Sequence, residues 1–121
     1  ARTQRSIYGR EYDIAARYFP KDPIAQINAS SAALIRGELE IAHLYLERVA
    51  QDPRAYNNLG VYHWMRQEYD QAADYFRRAP QESQEMAQRN LTQMLQEQQQ
   101  REALQKQNKA ASGATKSTTT R

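Results

Sequence analysis

The sequence predicts an all-α fold of stacked helical hairpins, and three observations carry that prediction. Residues 22–51 and 52–81 align without a gap and agree at ten of thirty positions. The segment EYDIAARYF at Glu11–Phe19 returns as EYDQAADYF at Glu68–Phe76, identical at seven of nine positions. Of the 121 residues, 40% are hydrophobic, few are β-branched, and Gln, Ala, Arg and Glu abound, which favours helices over strands. A helix pair of this size cannot bury its apolar face alone, so repeated pairs stack to bury it.

Residues 1–9, with Arg2, Arg5, Ile7 and Tyr8, read as an entry segment. Glu11–Phe19 duplicates the second helix of the later pair. The chain is therefore expected to open on a half repeat, 10–20, whose first helix is absent or reduced to Ile7-Tyr8. Pro20 stops that helix. In the first full repeat, 22–51, Asp22 and Pro23 open a helix and Gly37 marks a turn, giving helices over 22–36 and 38–50.

The second repeat, 52–81, opens the same way. The Asp52 carboxylate can accept from free N–H groups of the opening turn. Pro53 sits at the first helical position, where its missing N–H costs nothing. Tyr56, Leu59, His63 and either Tyr62 or Trp64 recur at three- and four-residue steps and make one face. Gly60 in mid-helix costs about 1 kcal/mol against Ala, so it reads as room for a neighbouring helix. Tyr69, Ala72, Ala73, Phe76 and Ala79 form the buried stripe of the second helix, small residues alternating with rings. Pro80 breaks the chain again. A capping helix is expected over 82–105, its apolar side formed by Met86, Ala87, Asn90, Leu91, Met94 and Leu95. Residues 106–121, rich in Ser, Thr and Lys, lack the apolar content to offset ordering entropy and are expected to be a disordered tail.

This pattern resembles the tetratricopeptide repeat. Tyr56 stands where an aromatic opens the first helix, Leu59-Gly60 is the Leu-Gly pair, and Ala72, Phe76 and Ala79 fill the small, large and small positions of the second. His63 departs from the family's usual Tyr, and Gln67 replaces a small turn residue. The period of 30 is shorter than the family's usual length of about 34, and the residues missing come from the connection between repeats. The resemblance implies a tetratricopeptide-type solenoid, a right-handed superhelix with a C-terminal capping helix, over residues 10–105.

The catalytic inventory is thin. There are no cysteines, which excludes disulfides, Cys-zinc sites and thiol catalysis. His43 and His63 lie at non-equivalent repeat positions with no carboxylate at ligand spacing. Ser30-Ser31 are small packing residues, and no Gly-rich phosphate loop or carboxylate pair is visible. No enzyme activity, metal or cofactor is expected.

By resemblance, the first helices line a concave face. Carried over by position, that groove would hold Asn28, Ser31, Leu34 and Ile35 with Ile24 and Ile27, then Arg54, Asn57, Asn58, Val61, Trp64 and Met65. Asn28 and Asn58 hold the position where many members bond a peptide's backbone, work that suits a side-chain amide with both donor and acceptor. Trp64 either anchors a partner or packs against Leu34 or the capping helix. Ile24, Ile27, Leu34 and Ile35 are either covered by the opening helix or form a patch for a partner. Arg54 alone is basic in the groove, too little for a carboxylate clamp.

The expected function is a non-catalytic protein-interaction module for a peptide segment or a partner domain, which includes another domain of the parent chain. The alternative is a structural spacer in a bacterial cell envelope. YFPKDPIAQINASSAALIRGELEIAHLYLERVAQDPRAYNNLGV is similar to the tetratricopeptide end of outer-membrane-associated proteins with an outer-membrane-protein-A-like region upstream. That resemblance implies a periplasmic or outer-membrane-associated location; without it, the cytoplasm is the expectation. The first residue is Ala1 rather than Met, so an excised piece of a longer protein is expected. No apolar run approaches the roughly 18 residues that span a bilayer, and no direct membrane insertion is expected. Net charge is +3, but residues 101–121 carry +4 and residues 1–100 carry −1, which argues against a nucleic-acid surface on the body. A monomer and a weak dimer through an uncovered end both fit.

Overall fold

The computed structural model describes residues 7–119, with side chains to residue 112. The expected entry segment lies for the most part outside the described residues. Among those described, every regular element is helical: α1 (Arg10–Tyr18), α2 (Pro23–Arg36), α3 (Leu39–Glu47), a 3-10 turn (Pro53–Ala55) leading into α4 (Tyr56–Met65), α5 (Tyr69–Arg77) and α6 (Gln81–Thr119). The helices α2 and α3 form one hairpin and α4 and α5 a second.

Both hairpins begin and turn by the same local chemistry. The Asp22 carboxylate accepts from the Ile24 N–H at 3.0 Å, and the Asp52 carboxylate from the Arg54 N–H at 3.0 Å. At the first turn Gly37 adopts φ 78°, its N–H donates to Leu34 O at 3.0 Å, and the Glu38 N–H donates to Ala33 O at 2.9 Å. At the second turn Gln67 takes φ 63°, its N–H donates to Trp64 O at 2.9 Å, and the Glu68 N–H donates to His63 O at 2.8 Å. This doubly bonded, left-handed closure satisfies the orphan carbonyls of a helix end. Gln67 accomplishes it without the glycine that the conformation favours.

The core runs along the alanine stripes. Ala33, Leu34, Ala42, Leu46, Val49, Ala55, Leu59 and Tyr62 make one buried cluster. Ala42 and Ala72 are fully buried, as stacked hairpins require. Gly60 makes the room that was expected for a neighbouring helix. A Cβ there would stand 2.4 Å from the Phe76 ring, so the neighbour that the glycine admits is α5 of its own hairpin. Phe76 is 1% exposed, burial worth about 2–3 kcal/mol.

On the N-terminal side, α1 docks on α2. The Gln26 amide donates to the carbonyls of Ala16 and Phe19 at 3.1 Å each, which satisfies the end of α1. Gly9 lies so close to Ala32 that a Cβ would meet the Ala32 methyl at 2.5 Å. The Arg36 side chain is fully buried beneath α1. It pairs with Glu38 at 2.7 Å and Asp13 at 3.1 Å and donates to Tyr8 O at 2.8 Å. The Tyr45 hydroxyl donates to Asp13 at 2.8 Å, and burial together with that carboxylate pushes its pKa up to about 12.

The chain divides after Leu91 into two units. Within the first, Ala87 of α6 is buried, but Met86 is 53% exposed and lies off the apolar side expected for it. The second unit, from Thr92, is the remainder of α6, and Leu95 there is also exposed. The helix runs on to Thr119, through residues 106–119 of the expected tail, and residues 99–112 are exposed throughout. Gln, Glu, Lys and Ala are strong intrinsic helix formers, which is the local reason for that length.

Candidate functional site

The helices α2 and α4 lie side by side, and their outer stripes place the expected groove residues. Some equivalent positions differ in burial, as buried Leu34 and half-buried Trp64 do, and others agree. Ile24 and Ile35 of α2 are 46% and 49% exposed, and Met65 of α4 is 39% exposed. Leu34 is buried and Ile27 packs against the core cluster, so the four aliphatics split into two inside and two out. The opening helix α1 does not bury Ile24 or Ile35.

Asn58 has a structural engagement that its position alone did not disclose. Its amide donates to Ser31 Oγ at 2.8 Å, Ser30 Oγ at 3.0 Å and Ile27 O at 3.2 Å, all on α2. Asn57 is buried and turns the other way: its carbonyl oxygen accepts from Asn90 at 3.0 Å and its amide donates to Met86 Sδ at 3.4 Å, both on α6. Asparagines therefore form rungs between successive first-type helices. Burial of these amides is tolerable because each is hydrogen-bonded. Asn28 is exposed. The Ser-Ser pair facing Asn58 one repeat earlier was the signal for the rung.

Trp64 is half-buried and meets the Phe76 ring edge-on, centroids 6.4 Å apart at 84°. One partner of Trp64 is thus the ring that Gly60 admits. Val61 and Ser31 are half-buried. Arg54 is exposed and held by Asp52, at 2.7 Å between Nη2 and the carboxylate, and that bond holds the Asp52 carboxyl below its ordinary pKa.

The two histidines are occupied by neighbours. His43 stacks on Tyr62 with centroids 5.3 Å apart and lies 3.4 Å from Glu47. His63 stacks on Tyr75 at 5.5 Å, and its Nδ1 is 2.9 Å from Glu68. Bonds from His63 and Arg66 hold Glu68 below the usual carboxylate range. Among the described residues, no three metal-ligating side chains converge. Two open clefts, of about 460 and about 610 Å³, are lined respectively by α1 and α3 residues such as Ile14 and Leu44, and by His43, Tyr62, His63 and Arg66. None of the expected groove residues lines either.

Residues 41–87 match the tetratricopeptide repeat family. The match takes in most of α3, the whole second hairpin and the start of α6, less than half of the chain, and supports a tetratricopeptide domain there. The all-helical architecture of the described residues is consistent with a tetratricopeptide-type hairpin solenoid. Repeats of this kind generally mediate protein–protein interaction and are typically non-catalytic. Neither curated proteins nor solved structures give a match. The expected outer-membrane origin gains no support from these comparisons. Among the described residues no helix is long and apolar enough to cross a membrane.

Proposed function

We propose that the chain is a non-catalytic interaction module that takes a peptide segment or the surface of a partner domain on the outer face of α2 and α4. The observation that carries this reading is the pair Ile35 and Met65. They hold equivalent positions in successive repeats, and both keep a large apolar side chain in solvent, at 49% and 39% exposure. Two aligned apolar residues flanked by a half-buried Trp64 and Val61 make a contact strip of the kind that interface cores use. The amides of Asn58 and Asn57 are spent on neighbouring helices and hold the stack rather than a ligand.

A displayed-peptide library selected on the full chain tests this. Peptides retained by the wild type should be lost with the Ile35→Asp, Met65→Asp double variant, whose exposed positions leave the fold intact. Peptides that bind both chains equally would sink the reading. Asn58→Ala is a poor probe of the groove, because it removes a rung of the stack.

A further inference from the structure

The near-copies Glu11–Phe19 and Glu68–Phe76 differ at two of nine positions, Ile14 for Gln71 and Arg17 for Asp74. Both of those α1 residues line the cleft of about 460 Å³ between α1 and α3. The facing wall shows the same departure: Ile41 and Leu44 of α3 stand where α5 has Gln71 and Asp74, and they line the cleft too. A second-type helix therefore tolerates polar residues here, and packing does not demand the aliphatics. They are nonetheless held in solvent, Ile14 at 57% and Leu44 at 58% exposure.

The open charge of the cleft has one sign. Arg78 is paired with Asp74 one turn earlier, at 3.0 Å. The equivalent Arg48 has Leu44 one turn earlier and donates instead to the neutral amide of Gln26 at 2.9 Å. Asp13, the one carboxylate among the described lining residues, is taken by Arg36 at 3.1 Å and by the Tyr45 hydroxyl at 2.8 Å. Arg17 and Arg48 stay exposed, each one helical turn beyond an exposed aliphatic, Ile14 and Leu44.

The chain's own segments do not offer the complement. A first helix ahead of α1 would leave the cleft open: α4 buries Phe76 of α5, yet Gln71, Asp74 and Arg77, the equivalents of Ile14, Arg17 and Pro20, remain exposed. Residues 1–6 and 113–121 contain no Asp or Glu and no apolar residue larger than Ala. No Asp or Glu stands three or four residues from the exposed Leu95 or Leu104.

We propose that the α1–α3 cleft docks an acidic amphipathic helix of a partner protein. An aliphatic side chain of that helix enters between Ile14 and Leu44, and an Asp or Glu three or four residues from it reaches Arg17 and Arg48. The walls set that spacing, because their own aliphatics and arginines lie three and four residues apart. Burial of the aliphatics supplies affinity, and the carboxylates fix orientation. The cleft lies on second-type helices and does not depend on the function proposed for the Ile35–Met65 strip.

The probe is a labelled, end-blocked peptide of about twenty residues, long enough to hold a helix. It is built of Ala, Leu and Glu, with a Glu one turn after each Leu. Its control carries Lys in place of every Glu, a residue of similar helix propensity. Fluorescence anisotropy against the full chain should show saturable binding of the Glu peptide and binding of the Lys peptide about tenfold weaker or more. Leu44→Asp gives α3 the residue that α5 already carries at Asp74, so the fold is kept, which circular dichroism checks. It removes the aliphatic, gives Arg48 a partner, and should weaken binding about tenfold or more. Arg17→Glu, at an exposed position, should weaken it about fivefold. Met65→Asp should leave it unaltered, which separates the cleft from the strip. No saturable binding of the Glu peptide, equal binding of the Lys peptide, or equal binding by Leu44→Asp or Arg17→Glu would overturn the proposal. So would self-association of the full chain in sedimentation that Leu44→Asp abolishes, which would assign the cleft to a second copy.

Discussion

The helices α1 and α5 are near-copies in sequence and opposites in environment. Each carries Glu-Tyr-Asp, a pair of alanines and a closing Tyr-Phe. In both the second alanine is buried, Ala16 completely and Ala73 at 7% exposure. They part company at the rings: Phe19 stands 61% exposed and Phe76 1%. Helix propensity and pattern are alike in the two segments, so neither explains the difference. What differs, among the described residues, is whether a first helix lies alongside. In a repeat protein, stability is close to a sum of unit terms and nearest-neighbour interface terms. By that measure, among the described residues, α5 has the first helix of its own hairpin alongside and α1 has only the following helix α2.

The largest test of this contrast is a pair of truncations. Phe76→Ala should cost about 3–5 kcal/mol, since it empties the space between Gly60 and Trp64. Phe19→Ala, at the same place in the same motif, should stay within about 0.5 kcal/mol, as an exposed substitution does. Urea denaturation of the two variants measures both. Equal losses would mean that the α1 face is covered in solution, and the comparison would fail.

Much of this was legible in the chain itself. Asp22 and Asp52 act as caps, Gly37 makes the turn, and the alanine stripes are where hairpins touch, because each depends on residues a few positions apart. The misses are non-local. Gly60 signalled a close approach, but only the fold says that the Phe76 ring makes it. Trp64 could not be placed because its neighbour lies twelve residues away on the other arm of the hairpin. Asn58 sat at a position associated with peptide contact, yet the hydroxyls of Ser30 and Ser31 absorb its amide. The repeat positions were therefore legible from the sequence, and the polar contacts made at them were not.

A second contrast, of intermediate size, concerns the arginines that close the two hairpins. Arg36 and Arg66 are equivalent, and each pairs with a glutamate two residues on. The Arg36 side chain is wholly buried because α1 lies over it and contributes Asp13, while that of Arg66 is 49% exposed. Arg36→Ala should cost about 3 kcal/mol, the low end for breaking a buried pair, because Asp13 and Glu38 keep some solvent. Arg66→Ala should leave the midpoint unchanged, as exposed pairs contribute little. Tyr45 offers a second readout of the same network. Its pKa is raised from 10.0 to about 12, so its contribution to stability is whole below pH 10 and is lost as pH rises through about 12. Asp13→Asn should bring that titration back toward 10 in tyrosinate absorbance.

The smallest contrast lies in the turns, and it separates local backbone strain from everything else. Gly37 and Gln67 make the same closure with the same hydrogen bonds, at φ 78° and 63°. A residue with a Cβ gives up about 1–2 kcal/mol in this left-handed region. Glycine returns about half of that through the larger entropy it loses on folding. Gln67→Gly should therefore stabilise the chain by about 0.5–1 kcal/mol, a rise of a few degrees in Tm for a domain of this size. Gly37→Gln should lower it by about as much. Gln67 is exposed, so the gain should come from backbone alone and should add to the effect of Phe19→Ala without coupling. A loss on Gln67→Gly would mean that the glutamine side chain holds the second turn by a contact of its own, and that the two hairpins do not close by one mechanism.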